Sequence, residues 1–452
     1  MKSTLHYSLF LFCWIFLFAP NQLDAQIEAE FKNLVDKFLR EDISGPDALD
    51  SNNHGEHFIP AADKAQVSLV DALNRLVASN ISSFPLNSTT AGVSFDFSTG
   101  QPVSIRESLG PIFAETGKTL GKGKMNFGFN YTLLNFSKLR GLDTREINFN
   151  FYHQDVVEDG NVLGDSPNES DVMNVNLDLN LDANIFVFYL TAGITENLDI
   201  SVALPLVSLT LSGNPTATFS SFTLASGGTA NHNFGFEEDG VSPILTSSYT
   251  YDKRPITGIG DVAVRLKYSF LQEGLNFGAL LDARLPTGSK ENSLGTGETN
   301  IRLLALFSKK INDFTPHLNV GYDYRGDEFD SNEFEFALGF DQKITSGLTF
   351  AFDVLGEIDT DVSDALTTTS NTTTITDFNP RRYLEGEKQW ESTRILSDSN
   401  IPDIKDHIIN AAFGLRFAPS DRLQVLGNIL VPLNDGGLRP DFAMTFGLSL
   451  SL

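Results

Sequence analysis

The sequence predicts an all-β protein: an antiparallel transmembrane β-barrel of about 14 strands, 12 being the alternative, with a small helical segment at its N-terminus. Three observations predict it. Long segments alternate apolar and polar residues with a period of two, and tight connections alternate with long ones along the chain. After residue 25 no stretch approaches the run of roughly eighteen apolar residues that a membrane helix needs.

Residues 258–307 show the pattern most clearly. After Gly258-Ile259-Gly260-Asp261, one face carries Val262, Val264, Leu266, Tyr268 and Phe270, and the other Ala263, Arg265, Lys267 and Ser269. Past Gln272-Glu273-Gly274 the alternation resumes, with Leu275, Phe277, Ala279, Leu281, Ala283 and Leu285 apolar. Each run is roughly ten to thirteen residues, about twice a soluble strand and enough for a tilted strand to cross a bilayer core. The apolar set is assigned to lipid.

The chain opens with an export signal. Lys2 and His6 precede the apolar run 9–18, and Ala25 offers a small residue for cleavage, so 1–25 reads as a signal peptide. The only cysteine, Cys13, lies inside it, which leaves the mature protein without disulfide or thiol chemistry. A net charge of -26, from 32 Lys plus Arg against 58 Asp plus Glu, disfavours nucleic acid as a partner. Mean hydropathy of -0.09 suits a barrel, whose lipid-facing residues alternate with polar luminal ones.

Residues 26–84 differ from the rest. Phe31, Leu34, Val35, Phe38 and Leu39, and then Val67, Val70, Leu73, Leu76 and Val77, fall at helical spacing. They predict two amphipathic helices, over 28–40 and 65–78, either periplasmic or folded into the barrel mouth. Residues 85–123 follow as a first short strand near Gly92 and a Gly-rich stretch. That stretch has no GxxxxGK[ST] spacing and is not a phosphate loop.

From residue 124 the strands follow closely. The alternation marks segments at 124–133, 147–151, 172–195, 198–206, 262–270, 275–285, 299–310, 314–325, 332–343, 347–358, 405–417, 421–432 and 441–452. Residues 175–180 look like a strand extended above the membrane. Connections such as Glu196-Asn197 and Asn312-Asp313 are tight; those at 155–171, 212–257, 287–298 and 359–404 are long and acidic or hydroxyl-rich. Short periplasmic turns and long outer loops are the barrel habit, which places Leu452 on the periplasmic side.

The face opposite the lipid set gives the lumen: Asp261, Arg265, Lys267, Asp282, Arg284, Arg302, His317, Asn319, Asp323, Glu333, Glu335, Asp341, Asp353, Glu357, Asn410 and Arg416. With the turn centred on Gln272-Glu273, Asp261 falls opposite Arg284 and Arg265 diagonal to Asp282. Such pairs brace a lumen and set its field. No histidine, cysteine or carboxylate pattern matches a metal or catalytic site, so neither a cofactor nor enzyme activity is expected. The acidic clusters at 237–239 and 359–364 lack calcium-loop spacing.

Gly193-Ile194-Thr195-Glu196-Asn197-Leu198-Asp199-Ile200-Ser201-Val202-Ala203-Leu204-Pro205, then Gly258-Ile259-Gly260-Asp261-Val262 and Leu285-Pro286-Thr287-Gly288, resemble the outer-membrane family called Putative MetA-pathway of phenol degradation. The resemblance implies a barrel in the outer membrane of a Gram-negative bacterium, similar in style to channels for long-chain fatty acids, toluene and phenolic compounds. It also implies an N-terminal hatch in the lumen, placed here at 84–123, with Leu109, Ile112 and Phe113 as the apolar part of the passage. The implied partners are outer-membrane lipid, the barrel assembly machinery and a small hydrophobic solute. The chain lacks the Asn-Pro-Ala of such channels near its mature N-terminus, and it ends on Leu452 where many barrels end on an aromatic residue. The expected function is a passive channel for small hydrophobic or aromatic compounds. The alternative is a structural or adhesive barrel with a blocked lumen, suggested by the long acidic, Thr-rich segment 359–402.

Overall fold

The computed structural model describes residues 27–43, 58–65, 70–83, 94–96, 101–102, 109–153, 171–220, 232–326, 331–360, 372–378, 391–420 and 423–450. The signal peptide expected at 1–25, His54, His57, Leu452 and most of 84–108 lie outside them.

Twelve antiparallel strands close on themselves. They are β1 (Lys124–Leu139), β2 (Asn180–Gly193), β3 (Leu198–Ser212), β4 (Val262–Leu271), β5 (Leu275–Leu285), β6 (Asn300–Lys309), β7 (Phe314–Tyr324), β8 (Glu333–Thr345), β9 (Leu348–Asp359), β10 (Ile408–Ser420), β11 (Leu423–Pro432) and β12 (Leu438–Leu450). Each pairs with the next, and β12 returns to β1 through Thr445 with Thr132 and Leu448 with Phe129. Closure removes the free edges an open sheet would present.

The two faces meet different solvents. Leu266, Tyr268, Phe270, Leu281 and Leu285 are 38% to 52% exposed, while Arg265, Lys267, Ser269 and Asp282 between them are at most 3% exposed. Leaving a Leu or Phe side chain in water rather than burying it costs roughly 1.5–3 kcal/mol. An unbroken outward row of them is stable only against hydrocarbon, so the chain is an outer-membrane barrel. Phe270, Phe277 and Phe307 stack along the outer wall near the short turns, with centroids 5.1 and 4.9 Å apart.

The strand count is the lower of the two expected, for a physical reason. Asn148–Tyr152 is too short to cross and joins Val172–Asn176, Thr216–Ser220 and Thr246–Ser248 in a separate four-stranded sheet at the long-loop end. Near Gly92, among the described residues, the short strands Ser94–Asp96 and Gln101–Pro102 pair with each other, and Ser94–Asp96 pairs with the start of β1 without spanning.

Strands β1, β2 and β3 are 16, 14 and 15 residues long, more than a bilayer core requires. In their outer parts the alternation inverts. On β3, Ile200 and Val202 face lipid, whereas Val207, Leu209 and Leu211 turn inward and are at most 4% exposed. Above the membrane the outside is water and the inside is protein, so the apolar residues change sides. They cover the helices α1 (Ile27–Asp36), α2 (Ile59–Lys64) and α3 (Asp71–Ser83), which fill the long-loop end of the barrel.

Ile27, Phe31, Leu34 and Val35 form the buried face of α1, and a π-turn at Lys37–Glu41 then buries Phe38 and Leu39. The second predicted helix, 65–78, is helical over 71–78 and continues to Ser83, residues 66–69 lying outside the described ones. Its position is fixed from outside: Asn74 Nδ2 donates to Lys290 O at 2.9 Å, and Ser293 Oγ donates to Asn74 Oδ1.

Candidate functional site in the barrel lumen

Residues 109–120 run along the inner wall as an extended arc, roughly half way round. The backbone N–H of Leu109 donates to Thr349 Oγ1 at 3.2 Å on β9. Phe113 and Ala114 N–H both donate to Asp353 Oδ2, at 3.1 and 3.4 Å. Glu115 N–H donates to Asn319 Oδ1 at 2.7 Å on β7, and Asn319 Nδ2 returns a bond to Glu115 O at 2.8 Å. Gly117 N–H reaches Ser308 Oγ at 3.4 Å, and Leu120 N–H reaches Asp199 Oδ2 at 2.8 Å on β3. Buried backbone amides need acceptors. The luminal hydroxyls and carboxylates supply them, and together they hold the arc in place.

Of the three apolar passage residues, Leu109 and Ile112 are buried in the packing of this arc, Ile112 lying over Gly414 of β10. Phe113 borders open space in the lumen. Arg416, fully inside, donates through Nη2 to Pro111 O.

Between the arc and the wall runs a charge network. Asp282 Oδ2 accepts from Arg265 Nε at 3.1 Å and from Arg302 Nη2 at 2.6 Å, and Arg302 Nη1 reaches Glu335 Oε2 at 3.0 Å. Lys267 Nζ lies 3.0 Å from Glu115 Oε2, and Arg265 Nη1 lies 3.7 Å from Glu115 Oε1. His317 Nε2 is 2.6 Å from Asp353 Oδ1 and links the histidine to the carboxylate that anchors the arc. The register expected for this hairpin needs correction by two residues. Arg265 is directly opposite Asp282, and Arg284 faces Ala263. The turn is centred one residue later, on Glu273-Gly274, because Gly274 supplies the positive φ of +78°.

Asp261 is therefore not a partner of Arg284. It sits where the wall breaks between the short strand Ile256–Ile259 and β4. Its Oδ1 accepts from Gly288 N–H at 3.0 Å; its Oδ2 accepts from Thr296 N–H at 2.9 Å, Thr296 Oγ1 at 3.2 Å and Ser82 Oγ of α3 at 2.9 Å. The glycines around it are there for space. A Cβ on Gly295 would come within 2.3 Å of Asp261 Oδ1 and 2.8 Å of Gly288 Cα. Two motifs distant in sequence, Gly258-Ile259-Gly260-Asp261 and Leu285-Pro286-Thr287-Gly288, thus meet at one joint that ties an outer loop and a helix to the wall.

Among the described residues, two cavities lie along the barrel. The outer one is bounded by side chains such as Ile27, Phe31 and Leu73 of the helices and Phe136, Leu181 and Leu211 of the strands. The inner one rests on Phe113 and Glu115 and is walled by Leu280, Leu304, Leu355, Arg265 and Arg302, among others. Leu280, Leu304 and Leu306 form a buried apolar patch that the two-residue period concealed, because leucines stand on both faces in Leu280-Leu281 and Leu303-Leu304. Such doublets are the signal by which an apolar luminal patch is found. Glu115 was missed because the arc has no periodicity.

Outside the membrane, Tyr249 donates to Glu30 Oε2 of α1 at 2.9 Å, and burial together with the Glu30 charge pushes its hydroxyl up to about 12. In the 237–239 cluster, Ser242, through side chain and backbone, and the Val241 N–H hold Asp239 below the usual carboxylate range. That is the signature of a capped turn.

The family described as Putative MetA-pathway of phenol degradation matches residues 160–437. No curated protein matches in sequence. Among solved structures, the chain is similar to an outer membrane channel from Pseudomonas putida F1, with 12% identity, a TM-score of 0.39, and 74% of this chain and 97% of that one covered. It is also similar to the CymD monoaromatic hydrocarbon channel, at 8% identity and a TM-score of 0.26, covering 74% of this chain and 89% of that one. A Pseudomonas aeruginosa FadL homologue gives 11% identity and a TM-score of 0.30 over 72% and 88% of the two chains.

Proposed function

We propose that this chain, which belongs to the Putative MetA-pathway of phenol degradation family, is a passive channel for small hydrophobic or aromatic molecules. The observation that carries this is the outer cavity. Apart from Thr144, its thirteen bordering residues are aliphatic or aromatic, and it lies at the end of the barrel that faces away from the short turns. An apolar solute crosses hydrocarbon easily but is held back by the polar layer outside it. A dry chamber above the membrane, followed by a second chamber with leucines in its wall, gives such a solute a place to leave water. The aromatic class agrees with the family description and with the hydrocarbon channel named above.

Vesicles whose outer leaflet carries lipopolysaccharide should take up toluene faster with the full-length protein than without it, and Phe31→Asp, which puts a charge in the outer chamber, should reduce that uptake roughly tenfold. Glucose entry serves as the control for leakage. Toluene uptake no faster than in protein-free vesicles of the same composition would remove the reading. A second reading, a barrel kept shut, is favoured by the hydrogen-bonded arc of residues 109–120; it requires that toluene and ions stay out even when the arc is released.

A further inference from the structure

Five neighbouring strands carry one continuous rung of the inner wall. Leu280 of β5 faces Leu304 of β6, Leu304 faces Gly321 of β7, Gly321 faces Glu335 of β8, and Glu335 faces Glu357 of β9. The two leucines and the two glutamates all border the inner cavity. Apolar and acidic side chains thus stand at opposite ends of one rung, and two strand spacings, roughly 10 Å along the wall, separate Leu304 from Glu335. Gly321 keeps the middle open. A Cβ there would come within 2.5 Å of Leu304 Cδ2, so the leucine leans over the glycine toward the carboxylates.

The charges on this lining do not pair off. Glu115 is engaged by Lys267 and Arg265, and Asp282, behind the lining, takes a bond from each of Arg265 and Arg302. Glu335 shares Arg302 with Asp282. Both arginines of the lining are therefore occupied. Glu357 is half-buried, and among the described residues it makes neither a hydrogen bond nor an ion pair. A carboxylate withdrawn from water without a donor is costly, and a like charge directly across the rung adds to that cost. A cation between the two glutamates relieves both.

We infer that the inner cavity binds a compact organic monoammonium ion, its ammonium group between Glu335 and Glu357 and its apolar body over Leu280 and Leu304. The inference rests on the channel reading for the direction in which such a solute moves. An ammonium group brings three donors, enough to serve Glu357 and to share Glu335 with Arg302. The same lining sets the choice among solutes. An anion meets three glutamates and no unoccupied arginine. A neutral molecule of the same shape gains the apolar contact but leaves Glu357 without a donor. A bare inorganic cation serves Glu357 and leaves the leucine end of the rung unfilled.

Calorimetric titration of the full-length protein in a non-ionic detergent near neutral pH tests this, with benzylamine, benzyl alcohol, benzoate and ammonium chloride as probes. Benzylamine, protonated under these conditions, is expected to bind more tightly than the other three. Glu357→Gln keeps the shape and removes the charge; it should weaken benzylamine roughly tenfold or more while changing benzyl alcohol less than about twofold. Because Glu357 has no internal partner to lose, Glu357→Gln should melt no lower than wild type. Equal binding of benzylamine and benzyl alcohol, unchanged benzylamine binding in Glu357→Gln, or a lower melting point that reveals Glu357 held by Arg302 would each overturn the inference. Ammonium chloride binding as tightly as benzylamine would overturn its apolar part. Toluene uptake by lipopolysaccharide-bearing vesicles made from the same preparations separates the two claims: uptake without benzylamine binding sinks only this one, and benzylamine binding without uptake sinks only the channel.

Discussion

Bilayers containing Asp353→Ala protein should show frequent, long-lived ion-conducting openings where the wild type is nearly silent. The carboxylate of Asp353 accepts from two backbone amides of the arc, those of Phe113 and Ala114, and lies 2.6 Å from His317 Nε2. Ala114 is fully buried and Phe113 is 8% exposed, so neither amide finds water once the carboxylate is gone. Each stranded buried group costs about 1–3 kcal/mol, which places the loss for the closed arrangement on the order of 2–5 kcal/mol. The barrel wall does not share this loss, because its ladders on both sides of Asp353 are backbone bonds to β8 and β10. The arc therefore yields before the wall does. Single-channel recording at fixed voltage measures the open fraction, and gel mobility of the unheated protein reports whether the barrel is intact. A silent Asp353→Ala barrel that migrates as folded would show that the arc does not close the pore. It would leave the shut-barrel reading in its place if toluene is excluded as well.

Most of the wall was legible in the sequence because a membrane imposes one rule on every residue of a spanning strand. Leu266, Tyr268 and Phe270 could face only hydrocarbon once Arg265, Lys267 and Ser269 stood between them. The rule stops at the membrane surface. Above it, Val207, Leu209 and Leu211 keep the same period but point inward, and only the change of phase beside Pro205 marks the transition. The charges of the lumen were legible as a set, since the period assigns a side to each of them. Their pairing was not, because the register turns on which residue of Gln272-Glu273-Gly274 takes the positive φ. The arc was least legible. Its backbone bonds to β6, β7 and β9 join residues more than 190 positions apart, such as Gly117 with Ser308, and an extended segment that borrows acceptors from side chains has no periodicity to betray it.

Asp261 tests whether the joint between the two motifs is a working latch. Substitution by alanine strands the Gly288 and Thr296 amides and frees Ser82 at the end of α3. Thr296 is 6% exposed and Ser293 of the same loop is fully buried, so the released groups stay in a dry setting unless the loop moves outward. At about 1–3 kcal/mol for each stranded amide, the loop 287–298 should lose on the order of 2–5 kcal/mol of local stability. Asn74 still holds Lys290 O and Ser293, so α3 remains attached at its other contact and the loop loosens without detaching from the helix. Hydrogen exchange at Gly288 and Thr296 should then accelerate by roughly thirtyfold or more, while amides in the middle of β5 keep their protection. Asp261→Asn should fall between the two, since its amide oxygen keeps one acceptor and its NH2 opposes the donors that met the second oxygen. Exchange at Gly288 and Thr296 as slow as in wild type would mean that the packing of Gly288 on Gly295 alone holds the loop, and the carboxylate would be reduced to a bystander.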